Sequence, residues 1–180
     1  MILSSHRIST HFSLGNIVIE PWNKDQLNPN SYNVRLAPEL KVYNLAAIDD
    51  AALDPKSDNP TQDLTIPENG LILEPGNLYL GKTIEYTESP IHVPMLEGRS
   101  SLARLGLWVH VTAGFGDKGF KGHWTLEIAC IHPTRIYPGM EIAQLSWYDI
   151  DQDGLSYQDT GKYNNRRGSS PGASQSHKDF

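Results

Sequence analysis

The run Gly122-His123-Trp124-Thr125-Leu126-Glu127-Ile128-Ala129-Cys130 decides the fold class. In an extended chain successive side chains point to opposite faces. Trp124, Leu126, Ile128 and Cys130 therefore share one face, and His123, Thr125, Glu127 and Ala129 share the other. The same period recurs upstream, where Tyr32, Val34 and Leu36 alternate with Asn33 and Arg35, and again over Leu40-Lys41-Val42-Tyr43. Ile17 to Ile19, Leu78 to Ile84, Trp108 to Thr112 and Ile142 to Tyr148 are predicted as further strands. Asn28-Pro29-Asn30, Glu74-Pro75-Gly76 and Tyr137-Pro138-Gly139-Met140 supply turns between them, and four glycines between Gly114 and Gly122 mark a tight turn or bulge. Helix is confined to a short piece after Ser4 or Ser5 and another within Gly98–Gly106.

These patterns predict one mostly β domain over residues 1–155, a distorted barrel or jelly roll with few short helices. Residues 46–69 are rich in Asp, Pro, Asn and Thr and read as a surface insertion between strands. Residues 156–180 are polar and rich in Gly and Ser, which suits a flexible C-terminal lid that orders over a ligand.

Charge and cysteine usage narrow the function. A formal net charge of -6 argues against nucleic acid as a partner. A small anionic ligand would need a local group of Arg and Lys and a divalent metal on its phosphates. The single cysteine, Cys130, allows no internal disulfide and no Cys/His zinc site of the kind most base deaminases use. No apolar run reaches the roughly 20 residues of a membrane span, so a cytoplasmic protein with no membrane partner is expected.

Two segments concentrate polar chemistry. In Gly98-Arg99-Ser100-Ser101-Leu102-Ala103-Arg104 the serines open a predicted helix, Arg99 offers a planar fork for phosphate oxygens, and Ser100 and Arg104 are four apart. An ordinary capped surface helix has the same spacing. Glu127 sits in an apolar strand, where a carboxylate's charged form is disfavoured and proton transfer is favoured; a wet-face glutamate is the plainer alternative. Asp117 beside Gly116 is either a turn residue or a ligand for a sugar hydroxyl. His110 and His123 read as structural, without a third ligand at metal spacing.

Taken together, these segments resemble the dCTP deaminase family, a branch of the trimeric dUTPase-like fold. The likeness runs from Met1-Ile2-Leu3-Ser4 through Pro29–Leu36, Leu73–Gly76 and Leu80–Glu85. It is densest over Leu96–Leu107 and continues through His110-Val111-Thr112-Ala113-Gly114, Gly119–Gly122, Thr125-Leu126-Glu127, Tyr137–Met140, Ile142–Leu145 and Gly161-Lys162-Tyr163. The resemblance implies a homotrimer that hydrolyses dCTP to dUTP and ammonia without zinc, with Mg²⁺ carried on the nucleotide phosphates. It implies Glu127 as the proton shuttle, and Ser100 and Arg104 as the residues that hold the water and polarise the pyrimidine. Arg99 and Ser101 become phosphate contacts supplied by a neighbouring subunit. Asp117 becomes the partner of the deoxyribose 3′-hydroxyl, and Val111, Thr112 and Ala113 the backbone beside the base. Gln144, Tyr157, Lys162 and Arg166 complete the substrate-binding set, and dTTP becomes a feedback inhibitor.

Departures from the family pattern are Ser5 and Asn33, each where Asp is usual, Lys118 after Asp117 in place of Pro, and Arg166 in place of Gln. The alternatives are a bifunctional enzyme that continues to dUMP, towards which Thr112-Ala113-Gly114 and Gly119–Gly122 lean, and a dCMP-selective deaminase. A plain dUTPase has no use for Arg104 and Glu127, and a non-catalytic nucleotide sensor need not keep Glu127.

Overall fold

Ser4 starts the first element by accepting a hydrogen bond from the Arg7 backbone at 3.4 Å, the capping role that its type favours. In the computed structural model, which describes residues 1–48, 50–163 and 171–172, this helix is α1 (Ser5–Ser13). It buries Ile8 and leads into β1 (Val18–Glu20). Then come β2 (Tyr32–Arg35), β3 (Glu39–Tyr43), β4 (Thr61–Thr65), β5 (Leu71–Leu73), β6 (Tyr79–Glu88) and β7 (His92–Gly98). The short helix α2 (Ser100–Ala103) precedes β8 (Leu107–Trp108), β9 (Lys121–Cys130), β10 (Thr134–Ile136), β11 (Glu141–Asp149) and the one-turn helix α3 (Tyr157–Thr160).

The strands form three antiparallel sheets. The largest runs β4-β3-β6-β9-β8, with β1 paired to the far end of β6. A three-stranded sheet runs β2-β11-β7, and β5 pairs with β10. One core draws on all three, with Leu36, Leu40, Leu126, Leu96, Leu145, Leu73, Ile136 and Trp147 fully or almost fully buried. Alternation along β9 is as expected: Trp124, Leu126, Ile128 and Cys130 are buried, and the intervening residues are half-buried.

Three expectations need correction. No closed barrel forms among the described residues: the sheets meet through isolated bridges such as Leu36↔Thr83, where closure would need continuous ladders. A period of two marks a strand but does not choose its neighbour. Residues 46–69 are not wholly insertion, because Thr61–Thr65 pairs with β3 as an edge strand and Ile66 enters the core. The strand predicted over Trp108–Thr112 ends at Trp108, and the His110 ring turns back onto the Ala113 carbonyl.

A buried polar knot ties β2 to β6. Glu85 is fully buried and takes the Arg35 guanidinium at 2.7 Å, the Arg35 backbone amide at 2.7 Å and Gln26 Nε2 at 3.0 Å. Satisfying both oxygens makes a carboxylate tolerable in the core.

Candidate active site

Strand β9 carries Glu127 across from Leu80 of β6, on the half-buried face that the sequence assigned to it. That face borders a cavity of about 390 Å³. Glu127, His110, Ala113, Asp117, Thr125 and Tyr157 line it, with aromatic walls from Phe115, Phe120, Trp124 and Tyr163. Trp124 is fixed rather than merely packed, since its indole donates to Thr87 Oγ1 at 2.9 Å and its amide to Thr83 Oγ1 at 3.0 Å. Phe120 lies 4.6 Å from the Trp124 ring and 6.0 Å from Tyr157, so the aromatic wall is continuous.

Glu127 keeps 39% of its side-chain surface exposed, enough to meet a ligand, while one carboxylate oxygen pairs with His110 Nδ1. The opposite ring nitrogen of His110 meets the Ala113 carbonyl. Both partners are acceptors, an arrangement that favours the protonated ring. Burial works against that charge, yet the Glu127 hydrogen bond, the Ala113 carbonyl and the charges of Glu127 and Glu97 outweigh it, and the His110 pKa is raised. The sequence offered His110 only as a structural residue. Its partner lies seventeen positions downstream on β9, while His110 sits in the loop after β8, and the signal that could have exposed it was its place at the head of the His110–Gly114 run.

Of the residues singled out from sequence, Glu127, Ala113, Asp117 and Tyr157 come together here. The exposed residues Ser100, Ser101 and Arg104 stand on or beside α2, outside the cavity wall. The helix is a single turn whose Ser100 carbonyl accepts the Arg104 amide at 3.2 Å. Arg99 points its guanidinium at Glu141, 2.9 Å to the carboxylate and 3.2 Å to the carbonyl, and Asn33 donates to the same Glu141 at 2.9 Å. Gln144 accepts from Ser31 at 2.9 Å within the three-stranded sheet. Val111 and Thr112 are exposed in the loop before Ala113, and Lys162 is exposed beside Tyr163. Arg166 lies outside the described residues.

Among the described residues the cavity wall carries no Lys or Arg, and no group of three or more His, Cys, Asp or Glu side chains is placed to hold a metal ion. No described helix is long and apolar enough to cross a membrane.

Comparison with known proteins gives concordant matches. A family model described as dCTP deaminase-like matches residues 2–150. A protein of Clostridium acetobutylicum named "dCTP deaminase, dUMP-forming" is 55% identical over 181 residues, covering 100% of this chain and 99% of the relative. A Cytophaga hutchinsonii protein of the same name is 55% identical over 180 residues, with the same coverage. The fold matches the crystal structure of 2'-deoxycytidine 5'-triphosphate deaminase from Agrobacterium tumefaciens with a TM-score of 0.64 at 20% identity. That match covers 83% of this chain and 48% of the other.

Proposed function

The chain belongs to the dCTP deaminase-like family, and from that premise we propose that it converts dCTP and two waters to dUMP, diphosphate and ammonia. The observation that carries this reading is the accessible Glu127 carboxylate, held by His110 in the wall of an aromatic cavity. The sequence taken alone favoured dUTP as the end product. The relatives that span the whole chain at 51–55% identity bear the dUMP-forming name, and the product assigned here follows them.

Glu127 takes a proton from water as the oxygen attacks C4 of cytosine and delivers it to N3. It then takes the proton of the new C4 hydroxyl and passes it to the amino group, which leaves as ammonia while the C4 carbonyl forms. The second water attacks the α-phosphorus as the bond to diphosphate breaks. His110 keeps the carboxylate in one orientation. Asp117, exposed at the cavity rim, accepts from the deoxyribose 3′-hydroxyl. Aromatic walls exclude water from the base. Ser100 and Arg104 supply the donors for charge that develops at C4, and Arg99 and Ser101 of a neighbouring copy bind phosphate. A homotrimer suits an exterior that leaves Leu105, Trp108, Phe115 and Ile131 between 46% and 66% exposed around α2, β8 and the loop that follows. Tyr157, Lys162 and Arg166 cover the phosphates, Mg²⁺ arrives on them, and dTTP competes for the same cavity. No step in this scheme runs through a protein-held metal.

Incubation with dCTP and Mg²⁺, with product identification, tests the proposal. Formation of dUMP and diphosphate supports it. Accumulation of dUTP with no diphosphate returns the enzyme to simple deamination. Unchanged dCTP overturns the assignment.

A further inference from the structure

The segment Asp117–Phe120 makes a turn in which the Phe120 amide donates to the Asp117 carbonyl at 3.1 Å. Gly119, at the third position, has φ +92°, and a Cβ there would collide with Ser156 Oγ. These are the features of a type II turn with Lys118 at its second position. The turn is rooted in the core, because the Gly119 amide donates at 2.7 Å to the carbonyl of Ser89, whose fully buried hydroxyl accepts the Trp147 indole at 2.8 Å.

Lys118 is only 9% exposed. Its ammonium donates to the carbonyls of Gln152 at 3.3 Å and Gly154 at 3.4 Å, in the segment that leaves β11. Its own carbonyl accepts the Tyr157 amide at 2.8 Å and the Ser156 hydroxyl at 3.3 Å, where α3 begins. One residue thus grips the connecting segment with its side chain and the helix with its backbone. Tyr157 lines the cavity, and its hydroxyl accepts the amide of Tyr163, which lines it too. Burying an ammonium is costly unless its donors are used, and here two of the three are used on the tail.

We propose that Lys118 is a positioning residue whose ammonium clamps residues 150–156, so that Tyr157 and Tyr163 close the cavity of their own subunit. This rests on the reading of the cavity as the nucleotide site. Lys118 touches no reacting atom; it sets how firmly the tail covers the ligand.

The test compares Lys118→Met and Lys118→Pro with the native full-length protein. Proline suits the second position of this turn, so that variant removes the ammonium and keeps the backbone. Amide exchange in the Gln152–Gly161 segment should accelerate by about tenfold in both variants. The KM for dCTP should rise by a similar factor, with kcat changed less than about twofold, and Lys118→Arg should restore part of both losses. Unchanged exchange in Met and Pro variants that remain folded overturns the clamp. Faster exchange with an unchanged KM overturns its role in closing the site. Should the native protein not turn over dCTP, the exchange measurement still decides the clamp, and the failure belongs to the assigned reaction.

Discussion

Glu85 and Glu127 stand on neighbouring strands of the same sheet, and their surroundings differ in kind. Glu85 is fully buried, with three donors from Arg35 and Gln26 fixed on its two oxygens. Glu127 keeps 39% of its side chain exposed beside a cavity and is held through one oxygen by one imidazole. A carboxylate surrounded by fixed donors holds strands together. A carboxylate steadied from one side and open on the other can exchange protons with a ligand. What separates the two acids here is how many lone pairs the fold has already used.

That contrast breaks if the two residues respond alike to the same substitution. Glu127→Gln should lower ammonia release from dCTP by about 10³-fold, with nucleotide affinity and melting temperature almost unchanged. Retained deamination would remove Glu127 from the chemistry. Glu85→Gln should do the reverse. It leaves the Arg35 guanidinium without its counter-charge, and stability measured in urea should fall by about 3 kcal/mol while the folded fraction keeps its turnover. His110→Gln keeps a donor near Glu127 but loses the rigid ring, and kcat should fall by about tenfold with little change in KM. An equal loss of melting temperature would make His110 a packing residue.

The two buried histidines sharpen the comparison. His110 is raised because its acceptors outweigh burial, whereas burial and then His11 hold His92 down to about 4 against a smaller opposing pull from Asp149. Below pH 6.5 the unfolded chain protonates His92 before the folded one does. The stability His92 contributes is therefore complete above about pH 6.5 and is lost as pH falls towards 4, with a cost of about 1 kcal/mol already at pH 6. His110 has the opposite sign: its contribution is full below about pH 6.5 and is lost as pH rises through its raised pKa. In Glu127→Gln the NMR titration midpoint of His110 should fall, because the carboxylate's hydrogen bond and its charge both raise it and the charge is lost. An unmoved midpoint would deny the pair any coupling.

The sequence carried the β class in the alternation of Trp124, Leu126, Ile128 and Cys130, the first helix after Ser4 or Ser5, and the strand face of Glu127, whose site role came from the family resemblance and not from the period. Each is local, set by the two-residue period of a strand or by the hydrogen bond of a cap, and needs no partner to be legible. The chain alone also marked Asp117 and Tyr157, which the fold brings to the cavity. The tertiary structure decided what depends on contact across the chain: that Thr61–Thr65 finds an edge against β3, that His110 meets Glu127, that Arg99 turns to Glu141, and that Lys118 grips the segment leading to α3. Strand pairing and loop closure join residues that no periodicity links, and only the packed core fixes which of them meet.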